Sequence, residues 1–240
     1  MNFLILASGR GSRLNKLTKK KPKCLTVIKN NKTLLDYIIL NFDKNDNKII
    51  STGYRSNLIE KHLADKSISY VKNKNFLNTN MVESLMLCRK KMKKRDLVIV
   101  YGDIYFDQKI IKKIKKLRGN IIPVNANWLQ SWKKRYSTLK KIKEDAEDLI
   151  VSKGKIISIG DKIEKKLPRY QYMGILKIEW KTFNKLEKFY KKMKNKEISL
   201  TNFINETIKA KIATYNYSVF ENYWYEIDNI SDLKYLKKSM

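Results

Sequence analysis

Residues 96–103 read Asp-Leu-Val-Ile-Val-Tyr-Gly-Asp. Four consecutive apolar residues rich in β-branching, closed by a glycine, are the pattern of a strand buried on both faces. Such a strand delivers Asp103 to its C-terminal end, where parallel sheets bind ligands. Upstream, Phe3-Leu4-Ile5-Leu6 repeats the buried-strand pattern and runs into a loop rich in Gly, Arg and Lys through residue 23. Between these strands the apolar spacing predicts a helix over 33–44, with Leu34, Leu35, Ile38 and Ile39 on one face and Thr33 as its cap. A strand at 48–51, a helix near 56–64 and a strand at 68–71 follow. The next helix, 81–94, carries Met81, Leu85, Cys88 and Met92 on one side and begins at Asn80. A lysine-rich helix over 108–118 has Ile110, Ile111, Ile114 and Leu117 as its buried stripe. Short apolar strands alternating with longer helices make a mostly parallel α/β sheet.

Beyond residue 120 the pattern changes. A strand at 121–124 leads into 127–143, which is aromatic and basic without clean periodicity. A hairpin over 149–160 turns at Lys153-Gly154. A strand at 172–178, helices near 180–194 and 200–211, strands at 213–219 and 225–227, and a helix from Ser231 complete the reading. Three prolines, eight glycines and no linker composition argue for one domain over 1–240, with a small inserted lobe around 125–170.

The chain has 240 residues, 42% hydrophobic and 32% charged, which suits a folded soluble domain. Its longest apolar run, 97–100, is far too short to span a membrane. The N-terminal stretch lacks the charge ahead of its apolar run that a secretory signal needs. Cys24 and Cys88 make no disulfide framework, and with His62 the sole histidine they make no zinc cluster. The expected compartment is the reducing cytoplasm. A single histidine, which reads as a surface residue, also disposes of most Ser–His and Cys–His catalysis. The net charge of +30 is spread along the chain, and 45 of the 53 positive residues are lysine. Arginine is the preferred reader of bases and phosphates, so nucleic acid is not the expected partner. The field still draws in small anions such as nucleotides.

Residues 4–25 read LILASGRGSRLNKLTKKKPKCL. Backbone N–H groups in a glycine-containing turn can wrap a triphosphate, and the flanking Arg13, Lys19, Lys20, Lys21 and Lys23 supply the neutralising charge. Neither a Walker motif nor the third Rossmann glycine is present. The full string G-x-G-S-R-L followed by P-K-C-L resembles the signature of the nucleotidyltransferases that build nucleotide-activated metabolites. The resemblance implies a Rossmann-like three-layer α/β fold with a mixed, mostly parallel central sheet and a small acceptor lobe. It implies that Ala7, Ser8, Gly9, Gly11 and Ser12 hold the triphosphate, that Arg13 reaches its β/γ end, and that Lys23 contacts the α-phosphate. Ser8 stands where the family usually has alanine. The resemblance further makes Asp103 of Tyr-Gly-Asp and Asp228 of Glu-Ile-Asp the ligands of one Mg²⁺ ion.

Asn78-Thr79-Asn80-Met81-Val82-Glu83-Ser84-Leu85 resembles an element of the phosphocholine-type cytidylyltransferases that holds a pyrimidine. Asn80 and Ser84 supply the amide and hydroxyl that a pyrimidine edge requires. For the acceptor, Trp132 and Arg135, Asp145 and Glu147 of Asp-Ala-Glu, and Tyr172 of Gln-Tyr-Met-Gly match a cytidylyltransferase subgroup. The implied reaction is CMP transfer from CTP to a small phosphorylated or phosphonate acceptor, of phosphocholine, aminoethylphosphonate or phospho-amino-acid type. Pyrophosphate is released, and the product activates a substituent for a surface polysaccharide or lipid. The acceptor's identity and the choice between monomer and homodimer stay open. The alternatives are a sugar-1-phosphate nucleotidyltransferase using UTP, dTTP or GTP, and a basic nucleotide- or nucleic-acid-binding protein without turnover.

Overall fold

The computed structural model describes all residues except 12, 13, 15–17, 65, 66 and 240. At the centre of its parallel half lies β1 (Asn2–Ala7), flanked in register by β4 (Asn47–Thr52) and β6 (Leu97–Tyr101), with β5 (Ser69–Lys72) outside β4. On the other side of β6 the strand β12 (Ile175–Ile178) runs antiparallel to both β6 and β8 (Ile121–Asn125). Beyond β8 come β13 (Asn216–Phe220), parallel to it, then β10 (Lys155–Lys162) and β9 (Glu147–Ser152) at the far edge. A short β11 (Gln171–Tyr172) also pairs with β8. The sheet is mixed and mostly parallel.

Alternation along the strands divides the core into two layers. Phe3 and Ile5 face a layer built by α1 (Leu34–Ile39), α4 (Gln108–Lys116), α5 (Trp128–Arg135) and α9 (Ile230–Ser239). Leu4 and Leu6 face α3 (Met81–Leu87), α7 (Trp180–Lys192) and α8 (Leu200–Lys209). Lys109, Lys112, Lys113 and Lys116 of α4 are exposed on a face away from its buried Ile110, Ile111 and Ile114, whereas Lys115 packs over the Phe3 ring and pairs with Asp43 and Asp46. No described helix is long and apolar enough to cross a membrane.

Several elements differ from the sequence reading for identifiable reasons. The first helix stops at Ile39, because the Asn41 amide turns back onto the carbonyls of Tyr37 and Ile38, 3.3 and 3.0 Å away. Its cap is as expected: Thr33 and Asp36 form a reciprocal capping box. The helix from Asn80 tightens into a 3-10 turn at Cys88–Lys91. Residues 127–143 hold two helices, α5 and α6 (Leu139–Asp145), whose short apolar faces gave little periodic signal. The strand expected over 172–178 is broken at Gly174, where φ is +69° and the chain steps from β8 to β6. The segment 125–170 does not stand apart as a lobe in its second half. Its hairpin continues the central sheet, while α5 and α6 cover the sheet's end.

The strand expected over 225–227 is present one residue earlier, as β14 (Trp224–Glu226). Its partner β7 (Ile104–Phe106), only three residues long, escapes the sequence; the two pair antiparallel outside the main sheet. A two-stranded turn of β2 (Val27–Lys29) and β3 (Lys32–Thr33) precedes α1, and α2 (Ser56–Leu63) follows β4.

Ile99 is fully buried in β6 beside Leu4 and Leu176. Ile99→Ala should therefore lower unfolding free energy by about 2–5 kcal/mol in urea titrations, while exposed Lys112→Ala should stay within about 0.5 kcal/mol. Equal effects would overturn this division between core and solvated lysine face.

Candidate active site

The site forms where β1 and β6 end together. The Gly102 N–H donates to the Leu6 carbonyl at 2.9 Å, and a Cβ on Gly102 would lie 2.8 Å from that same oxygen. Glycine is what lets the chain turn here and present Asp103. Beyond β1, Ser8 is tied to the sheet by a 2.6 Å hydrogen bond between its hydroxyl and that of Ser51. A serine in place of the family's alanine is thus satisfied by a neighbouring strand. Gly9 faces open space, while Gly11 has φ +69° and a Cβ there would come within 2.7 Å of the Lys23 side chain. The loop needs glycine at 11 both for its backbone and for the lysine that packs across it. The Thr18 hydroxyl closes the loop on the Gly11 carbonyl at 2.8 Å. Extended Pro22 then starts a single 3-10 turn, Lys23–Leu25, whose Cys24 and Leu25 enter the core and fix the base of Lys23.

Lys23 is buried, and its Nζ lies 2.9 Å from Asp103 Oδ2 and 2.9 Å from Asp228 Oδ1. The β7–β14 ribbon explains how two carboxylates so far apart in sequence meet. Residues 104–106 pair with 224–226, and the Ile227 N–H donates to the Asp103 carbonyl at 3.1 Å. Asp228 is carried directly opposite. Burial by itself would push the Lys23 ammonium down, but the Asp103 and Asp228 charges outweigh it and hold it above the usual lysine range.

Glu226 joins this pair, and sequence reading did not select it. Single oxygens of Asp103, Glu226 and Asp228 all lie within 4.8 Å of one another. The available signal was spacing: residues two apart on an extended chain share a face. Burial, then the Asp228 and Asp103 charges, push the Glu226 carboxyl well above its ordinary value. Asp103 Oδ1 is buried and has no hydrogen-bond partner among the described residues. Hard oxygen donors, one of them unsatisfied, fit a divalent cation that also takes phosphate oxygens and water. Asp103 and Asp228 would hold it, with Glu226 alongside.

Three adjoining cavities open from this point. One of about 260 Å³ is lined by Ala7, Gly9, Gly11, Lys23, Asp103 and Asp228. A second of about 280 Å³ shares Gly9 and Asp103 with it and is lined by Ser8, Asn73, Asn80 and Ser84. A third of about 220 Å³ shares Asp228 with the first, and contains Trp132, Asp145, Glu147, Tyr172 and Glu226. Asn80 accepts from the Met81 N–H at 2.7 Å, so it also caps α3. Buried Asn73 donates to Thr79 at 2.9 Å and to Ser84 at 3.0 Å, orienting the second wall. Sequence reading missed Asn73, although it directly follows the β5 strand at its C-terminal end.

The aromatic and acidic residues of the third cavity form one packed unit. Trp132 stacks on Trp224 with centroids 5.4 Å apart, and its indole N–H donates to Asp145 at 2.9 Å. Tyr172 packs edge-on against Tyr101 at 5.8 Å. Glu147 accepts from the Thr201 hydroxyl at 2.9 Å, yet burial pushes its carboxyl above the ordinary range. Arg135, read from the sequence as an acceptor contact, is turned inward. Its guanidinium is 1% exposed and meets Asp145, Asp228 and Asp232. Ser12 and Arg13 lie outside the described residues.

Comparison with known proteins agrees with this geometry. The family model for nucleotidyl transferases matches residues 2–239. The chain is 31% identical, over 98% of both chains, to a CTP:phosphoglutamine cytidylyltransferase of Campylobacter jejuni. Among solved structures it superposes on the inositol-1-phosphate CTP transferase of T. maritima with TM-score 0.76, at 22% identity over 99% of this chain and 94% of that one. CTP:phosphocholine cytidylyltransferase from Streptococcus pneumoniae gives TM-score 0.74, at 22% identity over 99% and 98%. With its glycine loop, buried lysine and paired aspartates at the ends of β1 and β6, the chain belongs to the nucleotidyl transferase family, and it is an enzyme of that kind.

Proposed function

We propose that this enzyme transfers CMP from CTP to a small phosphorylated or phosphonate acceptor and releases pyrophosphate, with Mg²⁺ as its metal. The observation that carries this reading is that the cavity holding Lys23 adjoins a second cavity through Asp103 and a third through Asp228. The cytidylyltransferase relative matched over its whole length supports CTP. On this reading the loop from Ala7 to Gly11 cradles the triphosphate, aided by Ser12 and Arg13. The cavity beside Asn73, Asn80 and Ser84 takes the pyrimidine. The acceptor enters past Trp132 and Tyr172. The free, buried Cys24 and Cys88 suit a reducing compartment such as the cytoplasm.

The acceptor oxyanion is already ionised at neutral pH, so attack in line on the α-phosphorus needs no general base. Positioning and charge neutralisation supply the rate. A bound Mg²⁺ would supply Lewis-acid polarisation of the α-phosphate. Lys23 stays protonated throughout, because the two aspartates hold its proton, and its ammonium neutralises charge that grows at phosphorus. Pro22 and the anchored turn keep that ammonium in place. Asp145 and Glu147, set among indole and phenol rings, favour an acceptor whose far end carries an ammonium. This wall suits phosphocholine, aminoethylphosphonate or a phospho-amino acid better than a neutral hexose.

Three outcomes are expected. Pyrophosphate release measured with four nucleoside triphosphates and a panel of phosphorylated acceptors should favour CTP over ATP and GTP by at least about 10²-fold in kcat/KM, with the highest rates for amine-bearing acceptors. Equal use of purine nucleotides would overturn the pyrimidine assignment. Asp103→Ala and Lys23→Ala should each lower kcat by about 10³-fold at a temperature where circular dichroism stays native, with Tm lowered by the partners left unpaired, whereas exposed Lys20→Ala should alter KM modestly, lose its effect in high salt and leave Tm unchanged. If Lys23 and Lys20 behave alike, Lys23 is background charge.

The third outcome concerns Glu147. Its folded carboxyl titrates above the ordinary value, so ionisation opposes folding once pH exceeds the unfolded value, and the cost is fully present above the folded one. Glu147→Gln keeps an acceptor for Thr201 and should raise Tm at pH 7, with the gain shrinking towards pH 4. The same change should raise the acceptor KM while leaving the CTP KM unchanged. A fall in Tm at pH 7, or an unaltered acceptor KM, would overturn this assignment.

A further inference from the structure

The Arg135 guanidinium bridges three carboxylates that come from different parts of the chain. Its Nε donates to Asp232 Oδ1 at 2.9 Å and its Nη2 to Asp232 Oδ2 at 3.1 Å, a two-point fork. Nη2 also reaches Asp228 Oδ2 at 3.2 Å, and Nη1 lies 3.4 Å from Asp145 Oδ2. The guanidinium packs over the Trp132 ring, 4.7 Å from its centroid. Asp232 is fully buried at the start of α9, and its Oδ2 also accepts the backbone N–H groups of Asp228 and Asn229 at 2.8 and 3.0 Å. The carboxylate that aims Arg135 therefore also fixes the backbone that carries Asp228.

The consequence lies in the two oxygens of Asp228. Oδ2 is held by Arg135, while Oδ1 faces Lys23 Nζ at 2.9 Å. A small octahedral cation takes single oxygens from its carboxylates and keeps room for phosphate and water. A carboxylate free to rotate would offer both oxygens or turn away. Buried ion pairs are poor sources of net stability, because desolvation offsets attraction. The fork's value here is orientation.

We propose that Arg135 is a positioning residue for the transfer reaction. It presents only Oδ1 of Asp228 to the cation. Asp145, whose Oδ2 accepts the Trp132 indole N–H at 2.9 Å, keeps its place on the wall of the third cavity without a hydrogen bond from Arg135. This rests on the reading of Asp103 and Asp228 as cation ligands. It differs from direct recognition of the acceptor by Arg135, since the buried guanidinium is spent on protein carboxylates.

The test is Mn²⁺ binding to the full chain, followed by electron paramagnetic resonance with a non-hydrolysable CTP analogue present. Wild type, D228N and R135K are compared, and R135K keeps the charge but loses the fork. R135K should bind Mn²⁺ about 10–100-fold more weakly than wild type, the range expected for loss of a partner that orients a metal ligand. In turnover assays its kcat should fall and recover partly at high Mn²⁺, with the acceptor KM nearly unchanged. If R135K lacks native circular dichroism, D232N carries the same test, because it leaves Arg135 in place and removes the group that aims it. Unaltered Mn²⁺ affinity, or a change in acceptor KM alone, would overturn the positioning role. A wild type that binds no Mn²⁺ would overturn the cation reading, and this proposal with it, while leaving the nucleotide panel to judge the transfer reaction.

Discussion

The attraction between one buried ammonium and two carboxylates, Asp228 buried and Asp103 partly exposed, organises this protein. Lys23 sits between Asp103 and Asp228, and none of the three would be stable in its place without the others. An unpaired charge in such a setting costs several kcal/mol. The surrounding architecture can be understood as what that arrangement requires. The 3-10 turn fixes the root of the lysine, Gly11 leaves room for its stem, and Gly102 turns the chain so that Asp103 faces it. The β7–β14 ribbon carries Asp228 across, and Arg135 with Asp232 prevents it from turning away. A third carboxylate, Glu226, is pressed into the same space and pushed towards its protonated form. Carboxylates gathered this closely are under mutual repulsion that an additional cation relieves.

Charge is divided in space as well as in sequence. The chain carries +30 overall, yet the third cavity is lined by Asp145, Glu147, Glu226 and Asp228. Lys109, Lys112, Lys113 and Lys116 of α4 lie on the solvated surface, where long side chains cost little to keep hydrated. Such a surface attracts a triphosphate over distances of about a Debye length, roughly 8–10 Å. Close to the reacting centre the sign reverses. On the proposed reading that reversal separates the two substrates: the nucleotide is drawn by the outer field and the glycine loop, and the acceptor's cationic end by the acidic wall.

The sheet supplies the geometry that makes this division useful. Parallel neighbours β1 and β6 end side by side, so the loops after them meet without further design. The antiparallel β12 separates β6 from β8 and receives the chain, through Gly174, from Tyr172 on the wall of the third cavity. The hairpin of β9 and β10 contributes Glu147 from the far edge of the same sheet, and Thr201 of α8 holds it.

The sequence by itself determined the α/β class, the end of β6 at Asp103 and the glycine loop, while the resemblance carried by short motifs singled out Lys23, Asp103 and Asp228. These are local: apolar runs, β-branched residues, glycine positions and a short motif each report on their own neighbourhood. It also carried the cap at Thr33 and the turn at Lys153-Gly154, whose φ values are +45° and +78°. Tertiary structure decided the rest. The three-residue β7 has no periodicity to detect, and its pairing with β14, which no local pattern reports, explains how Asp228 reaches Asp103. The facing of Arg135 depended on Asp145, Asp228 and Asp232 converging from distant segments, which no spacing rule encodes. Glu226 and Asn73 became site residues through the walls they share, and the hairpin's membership of the central sheet through its contact with β13. Long-range partners choose the direction of a side chain, because the local backbone leaves several rotamers close in energy and only packing and charge select among them.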